Sequence, residues 1–315
     1  MVPVPNMEPT FISYTSLMNP AISPGQRLRE ALRQEQPLQV VGVINAYCAL
    51  LAEHAGHHAL YLSGAGVANA CHGLPDLGLT TLDDLVEEVR RITKISDLPL
   101  LVDADTGFGD HLMIGRTVQE LIAAGAAGMH IEDQQDGKRC GHRPNKKLVS
   151  TETMVARIHA ATSAKTDPEF VIMARTDALA SEGLDSTLQR MQAYCEAGAD
   201  MLFAEAFTSL EEYRTVTSAL RVPVLANITE FGITPLFHID ELKSAGVALA
   251  LYPLSAFRAM STAAQQVYTT IRQQGSQKNI LNHMQSRDEL YAHLNYLEHE
   301  RQQDQETAKY EPEKE

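Results

Sequence analysis

The segment Lys138-Arg139-Cys140-Gly141-His142-Arg143-Pro144-Asn145-Lys146 sets a lone cysteine among cations, and upstream of it Asp103 and Asp105 stand at alternate positions closing an apolar run. Each half suggests a chemistry. A thiol with an ordinary pKa of about 8.5 is protonated at neutral pH and can hand its proton to a carbanion. Lys138, Arg139 and His142 would lower that pKa, and lowering it far would leave a thiolate that is a poor acid. Two carboxylates on one side of an extended backbone can hold a divalent metal over a hydroxy acid. In the other reading one acid faces the metal and its partner caps the following turn. Magnesium suits the pair, because it takes oxygen ligands and keeps several waters. Together the residues read as a magnesium-dependent carbon–carbon lyase acting on a polycarboxylate, with Cys140 as proton donor.

Other side chains fit the same chemistry. Arg175 and Arg258 can each grip a carboxylate through two parallel hydrogen bonds, or can serve as structural ion-pair partners. Tyr61 is a candidate for drawing the proton from the substrate hydroxyl. Cys48, Cys71 and Cys195 lack a cationic setting and read as small buried hydrophobes. His57, His58, His72 and His130 read as surface or packed residues rather than metal ligands. The stretch from Asp133 to Leu148 holds Gly137 and Gly141 between polar residues and reads as a lid that excludes water on closing.

The elements that must position these groups recur with a regular rhythm. Candidate strands are Val40–Ala46, Ala59–Ser63, Leu100–Asp103, Gly128–Glu132, Phe170–Arg175, Met201–Glu205, Val224–Asn227 and Val247–Tyr252. They are continuously apolar, as strands buried on both faces should be. Helical patterns intervene at Leu82–Lys94, Thr117–Ala124, Ser150–Ser163, Ser186–Ala197 and Leu210–Leu220. The alternation predicts an α/β fold, a (β/α)8 TIM-type barrel, with the doubly wound open sheet as its competitor. In the barrel, Tyr61, Ser63, Asp103, Asp105, Glu132, Arg175, Glu205 and Asn227 all fall at C-terminal strand ends, where barrel enzymes build their sites. A helix within residues 20–39 is expected over one barrel mouth, with Ser23-Pro24-Gly25 as its start. After a long helix at Ser255–Gln274, a C-terminal helical extension is expected at Asp288–Glu300, and the polar tail 301–315 is expected to be disordered. Residues 1–20 are expected to form an N-terminal extension ahead of a single domain spanning 21–300.

Bulk properties narrow the function. A chain of 315 residues can bury a large core in one domain. No apolar run reaches the roughly 18 residues of a membrane span, and the N-terminus lacks the pattern of a secretory signal. The four cysteines are widely separated and include no C-x-x-C pair, which argues against zinc and disulfides and for a cytoplasmic setting. A formal charge of -14 disfavours nucleic acid and anionic membranes as partners. It also repels a tricarboxylate at long range, so the site must gather local cations.

The Lys138–Lys146 segment resembles the signature of the isocitrate lyase/phosphoenolpyruvate mutase superfamily, and its Lys-Arg-Cys-Gly-His-Arg-Pro-Asn-Lys form is similar to the methylisocitrate lyase branch. Val102–Gly109, His130–Gln134, Ile172–Asp177, Leu225–Glu230 and Leu251–Arg258 follow that family in order, and the likeness spans roughly residues 25 to 297. The resemblance implies magnesium ligated directly by Asp105, with Asp103 and Glu132 acting largely through water and Asp76 further out. It implies a cradle for the keto-acid portion at Ser63, Gly64 and Ala65, where many relatives carry glycine in place of Ala65. Catalytic roles fall to Cys140, Tyr61, His142, Lys138 and Arg139. Substrate contacts fall to Cys140, Gly141, Arg175, Glu205, Asn227, Ile228, Thr229 and Arg258, with Ser255 completing the polar lining. The implied substrate is a small-molecule tricarboxylate, and the implied assembly is a homotetramer that exchanges its terminal barrel helix between subunits.

The activity implied is cleavage of 2-methylisocitrate to pyruvate and succinate in propionate breakdown by the methylcitrate route. Isocitrate lyase is the neighbouring reading and differs by one substrate methyl, worth about 1–3 kcal/mol in an apolar pocket. Phe203 and Leu251 stand where isocitrate lyases tend to carry Trp and Thr, which favours the methylated substrate. A barrel that binds dicarboxylates without turning them over is the reading from another class. It would be expected to lose Asp103, Asp105 or Cys140, and this chain keeps all three.

Overall fold

A computed structural model describes residues 22–310 of the chain, apart from 140 and 144. Its strands are β1 Leu38–Gly42, β2 Ala59–Leu62, β3 Leu100–Asp103, β4 Gly128–Glu132, β5 Val171–Thr176, β6 Met201–Ala204, β7 Val224–Asn227 and β8 Leu249–Tyr252. Neighbours pair in parallel in chain order, and β1 also pairs with β8 from Leu38↔Leu249 to Val41↔Tyr252. That last ladder closes the barrel and excludes the open sheet.

Strands β2 to β7 are buried on both faces, which is why their apolar runs are unbroken, whereas β1 is half-buried at Gln39 and Val41. Alternate residues such as Val40, Leu101, Met173, Phe203, Leu225 and Leu251 point inward and fill the barrel. Their neighbours, among them Leu62, Val102, Ile131, Ile172 and Leu202, point outward and meet the helices. The helix Pro24–Gln34 closes the N-terminal mouth, with Leu28 and Ala31 joining the inner cluster. Its start lies directly on the chain entering β5, because a Cβ at Gly25 would stand 2.2 Å from the Glu169 carbonyl oxygen.

The helix ring follows local signals. Leu82–Thr93 and Leu210–Ala219 begin with reciprocal caps, Thr81 with Asp84 and Ser209 with Glu212. The helix expected from Thr117 starts at His111, because the Asp110 carboxylate accepts from the N–H groups of Leu112 and Met113. The one expected from Ser186 runs Leu179–Glu196, with Gly183 (φ 79°, ψ 175°) as a break near its start.

The C-terminal region departs most from expectation. Helix Ser255–Gln274 leaves the barrel with only Thr270 buried. In place of one further helix there are two, Arg287–His293 and Tyr296–Ala308, divided at Asn295 in the left-handed region. Residues 301–308, expected to be disordered, continue the second helix. That helix buries no residue; it is held by pairs one turn apart, such as Arg301 with Glu298. The expected N-terminal extension and residues 311–315 lie outside the described residues. No helix among the described residues is long and apolar enough to cross a membrane.

Candidate active site

The C-terminal ends of the strands converge on a cluster of buried charge. Asp103 ends β3, and its two oxygens accept from the backbone N–H groups of Asp105 (3.1 Å) and Gly64 (3.0 Å). Asp105 does not continue the extended strand, as the alternate spacing suggested; it sits in the left-handed region at φ 47°. That turn, tolerable for aspartate, folds its carboxylate back toward Asp103. The two acids crowd the same glycine, since a Cβ on Gly64 would lie 3.2 Å from Asp103 Oδ2 and 3.3 Å from Asp105 Oδ1. Burial and the neighbouring Asp103 charge push the Asp105 carboxyl up to about 7. Burial acts to raise Asp103 also, but His130, Lys138 and Arg175 outweigh it and hold that carboxyl below its usual range. Two buried carboxylates driven apart in this way call for a cation between them.

Lys138 supplies one cation. Its Nζ stands 2.6 Å from Asp105 Oδ1 and 2.6 Å from Asp76 Oδ1, with its side chain buried. Burial disfavours the ammonium, but Asp105, Asp103 and Glu132 override it and raise the pKa well above the ordinary lysine value. Glu132, at the end of β4, keeps Oε1 buried without a hydrogen-bond partner. Burial pushes its carboxyl well up despite Arg175 nearby. The donors here are all oxygens, and the orphaned Glu132 oxygen beside Asp105 fits a hard divalent cation that keeps most of its water. Among the described residues no three His, Cys, Asp or Glu side chains are already gathered as a complete metal cage.

Arg175, on β5, forms the centre of the other half. Its Nε donates to Asp177 Oδ2 at 2.9 Å and lies 3.4 Å from Glu132, while Nη2 lies 3.7 Å from Glu205. The guanidinium covers the Phe203 ring at 5.0 Å. Glu205 follows β6, just before Ala206, which holds a left-handed φ of 62°. Asn227 Nδ2 donates to Glu205 Oε2 (3.1 Å), and His142 Nε2 lies 3.1 Å from Glu205 Oε1. His142 Nδ1 accepts from the Ile233 N–H at 3.1 Å, which leaves the ring proton on Nε2, facing Glu205.

The loop 134–148 carries His142 and Lys138 onto this cluster. Its neck is zipped by a Gln134–Leu148 bridge and by Gln135 N–H donating to the Lys147 carbonyl. Arg157 pins the neck by donating to the Glu132 and Gln134 carbonyls. Gly141 packs so closely that a Cβ there would meet Glu205 Oε1 at 2.4 Å and Arg175 Nη2 at 2.5 Å. Cys140 lies outside the described residues.

Several expected site residues are not gathered in. Arg139 is exposed, and Gln134 clasps only its backbone N–H and carbonyl. Ile228 turns its side chain into the outer apolar layer and gives its N–H to the Leu251 carbonyl, so it serves the barrel wall. Arg258 stays at the rim, 3.7 Å from Glu230 and 5.6 Å over the Phe231 ring. The Gly64 N–H is committed to Asp103, and Ser63 Oγ accepts from Gly66, which leaves the Ser63 hydroxyl proton, with Ala65 half-buried alongside. Thr229 is buried beside the docked His142.

Tyr61 is buried and already paired. Its hydroxyl lies 2.8 Å from His130 Nε2 under the acidic cluster, and burial, with Asp103 nearby, pushes its pKa well above 10. A phenol so placed resists ionisation near neutral pH. His130 is packed, as expected, but it forms the floor of the site, stacked on Tyr61 and 3.4 Å from Asp103. Burial pushes its pKa down to about 4. Sequence reasoning assigned no role to Asp177 or Lys146. Asp177 stands two residues beyond Arg175, a spacing that offered a signal; the reach of Lys146 across the loop offered none.

Known proteins place this geometry. The phosphoenolpyruvate phosphomutase family model matches residues 28–272. A 2-methylisocitrate lyase of Escherichia coli (strain K12) is 62% identical over 283 residues, covering 90% of this chain and 96% of that protein. The chain belongs to the 2-methylisocitrate lyase family. Among solved structures, 2,3-dimethylmalate lyase, a PEP mutase/isocitrate lyase superfamily member, is 35% identical. It matches with a TM-score of 0.83 over 90% of this chain and 95% of its own. Phosphonopyruvate hydrolase in complex with oxalate and Mg2+ is 27% identical, with a TM-score of 0.78 over 92% of this chain and 99% of its own. Membership in this lyase family agrees with a strand-end cluster of paired acids and arginine under a basic loop.

Proposed function

We propose that the protein is a carbon–carbon lyase that cleaves 2-methylisocitrate to pyruvate and succinate, a step of the methylcitrate cycle. The observation that carries the reading is the pairing of two adjoining sites under one loop. One is the all-oxygen group of Asp103, Asp105 and Glu132, and the other is the Arg175, Glu205, Asn227 and His142 cluster. A hydroxy acid fits the first and the carboxylates of the departing succinate fit the second.

Magnesium, held directly by Asp105 and largely through water by Asp103 and Glu132, with Asp76 further out, would act as a Lewis acid at the hydroxyl and carboxylate oxygens of the pyruvate portion. Lys138 adds positive charge on the same side and orients Asp105 and Asp76. As the substrate hydroxyl gives up its proton to water and its oxygen becomes the pyruvate carbonyl, the bond between the carbinol carbon and its neighbour breaks and its electron pair passes to the carbon beside a carboxylate. Arg175 stabilises the charge that develops there. His142, with its proton on Nε2, and Asn227 orient Glu205 around the same carboxylate. Cys140 delivers the proton that turns the carbanion into succinate. The docked loop excludes water, which would otherwise protonate the carbanion early. Phe203 and Leu251, both in the barrel interior, would line a pocket for the substrate methyl.

A homotetramer with exchanged terminal helices belongs to this proposal. It is supported by the long Ser255–Gln274 helix, which buries only Thr270 and exposes Met260, Tyr268 and Ile271. Incubating the protein with 2-methylisocitrate and magnesium should yield pyruvate and succinate in equal amounts. Absence of pyruvate at every magnesium concentration would overturn the reading.

A further inference from the structure

Asp177 and Lys146 are among the most deeply buried charges of the described residues, at 0% and 5% side-chain exposure. Lys146 belongs to the loop, and its Nζ lies 2.9 Å from Asp177 Oδ1. The same ammonium donates to the carbonyl of Gly141, the glycine packed against Glu205 and Arg175. Asp177 in turn accepts from Arg175 Nε at 2.9 Å and Nη2 at 3.3 Å, and its backbone N–H donates to buried Asp133. Asp133 is itself fixed by Thr176 and Tyr194. One carboxylate therefore holds the guanidinium on one side and the loop on the other, anchored to the barrel through a second acid, Asp133.

An ion pair so deep needs a return for its desolvation, and a part that moves as one piece is the arrangement in which such pairs are best attested. When the loop lifts, Asp177 loses one of its two cations and Gly141 leaves Arg175, so the guanidinium loses its cover and is held by a carboxylate no longer fixed from the loop side. We propose that Lys146 and Asp177 are positioning residues that act as one latch, coupling the docked loop to the orientation of Arg175, so that Arg175 is set for the substrate carboxylate only when the loop is down. The assignment rests on the lyase reading for the role of Arg175, but the coupling between loop and barrel does not.

Amide hydrogen exchange on the full-length protein without substrate separates the two. Lys146→Met and Asp177→Asn should each speed exchange across 134–148 at least about tenfold, while peptides from β1, β3 and β7 keep the wild-type rate. The double variant should be no faster than the quicker single, because one latch can open only once. Lys146→Arg should recover much of the protection, which a space-filling role would not require. Unchanged loop exchange in Lys146→Met, or additive effects in the double variant, would overturn the latch. If Asp177→Asn loosens the barrel peptides, Lys146→Met and Lys146→Arg decide the question. With 2-methylisocitrate and magnesium, Lys146→Met should lower kcat/KM at least about tenfold. Wild-type protein inactive on that substrate would overturn the lyase reading and leave the exchange result standing.

Discussion

Replacing Gly141 by alanine tests whether the docked loop is the working state. Alanine adds a single carbon at the point where the loop packs most tightly on the barrel. The cost is steric. The new Cβ would sit 2.4 Å from Glu205 Oε1 and 2.5 Å from Arg175 Nη2, about 1 Å inside normal contact. Neither neighbour can yield cheaply: Glu205 is held by Asn227 and His142, and Arg175 by Asp177. The loop must therefore rise by about 1 Å and carry its catalytic groups with it. A displacement of that size costs about 100-fold in rate, or about 2.7 kcal/mol of barrier. The lost contacts lie at the barrel rim, so the melting temperature should move by only a few degrees. Steady-state kinetics on 2-methylisocitrate with magnesium, beside a thermal melt, separates the two effects. Wild-type kcat and KM in Gly141→Ala would refute the reasoning, since the loop could not then need to seat where it is seen.

Other expectations follow from single contacts. Tyr61→Phe should keep turnover within about tenfold while costing about 1–2 kcal/mol of stability through the lost bond to His130; a thousandfold loss in activity would restore Tyr61 as a chemical participant. His130 is neutral in the folded state down to about pH 4, whereas the unfolded chain takes up its proton near 6.5. Its depressed pKa thus contributes stability that is present above pH 6.5 and lost as pH falls through 6.5 toward 4, about 3 kcal/mol at most. Urea midpoints of metal-free wild type and His130→Asn, compared between pH 7.5 and 4.5, should show a shallower fall in the variant, and equal slopes would contradict the assignment. Cys140→Ser should retain substrate binding by calorimetry and lose most turnover; full activity would remove Cys140 from the mechanism.

The barrel was legible because burial on both faces leaves a mark that composition carries directly. Phe170–Arg175 and Leu100–Asp103 are apolar up to their last residue because their neighbours lie on both sides, and the polar residue that closes each run belongs to the site end. The pairings among those residues were not legible. Asp105 reaches Asp103 through a left-handed turn rather than strand alternation, and His142 meets Ile233 across long chain separation. The basic loop read as a uniform ring of cations around a thiol. In the fold, Lys138 and Lys146 go inward to Asp105 and Asp177 while Arg139 goes outward, a division that a run of like charges cannot encode. The tail misled for a related reason. Its polarity removed any sign of burial, yet a helix secured by pairs between its own turns needs no buried face.

The central claim is cleavage of 2-methylisocitrate at the paired sites under this loop, and the most direct test offers 2-methylisocitrate and isocitrate side by side with magnesium. The expected result is rapid pyruvate formation, slower glyoxylate formation by at least about tenfold in kcat/KM for one methyl, and loss of both on chelation of the metal. Preference for isocitrate, or undiminished turnover after the metal is removed, would contradict it.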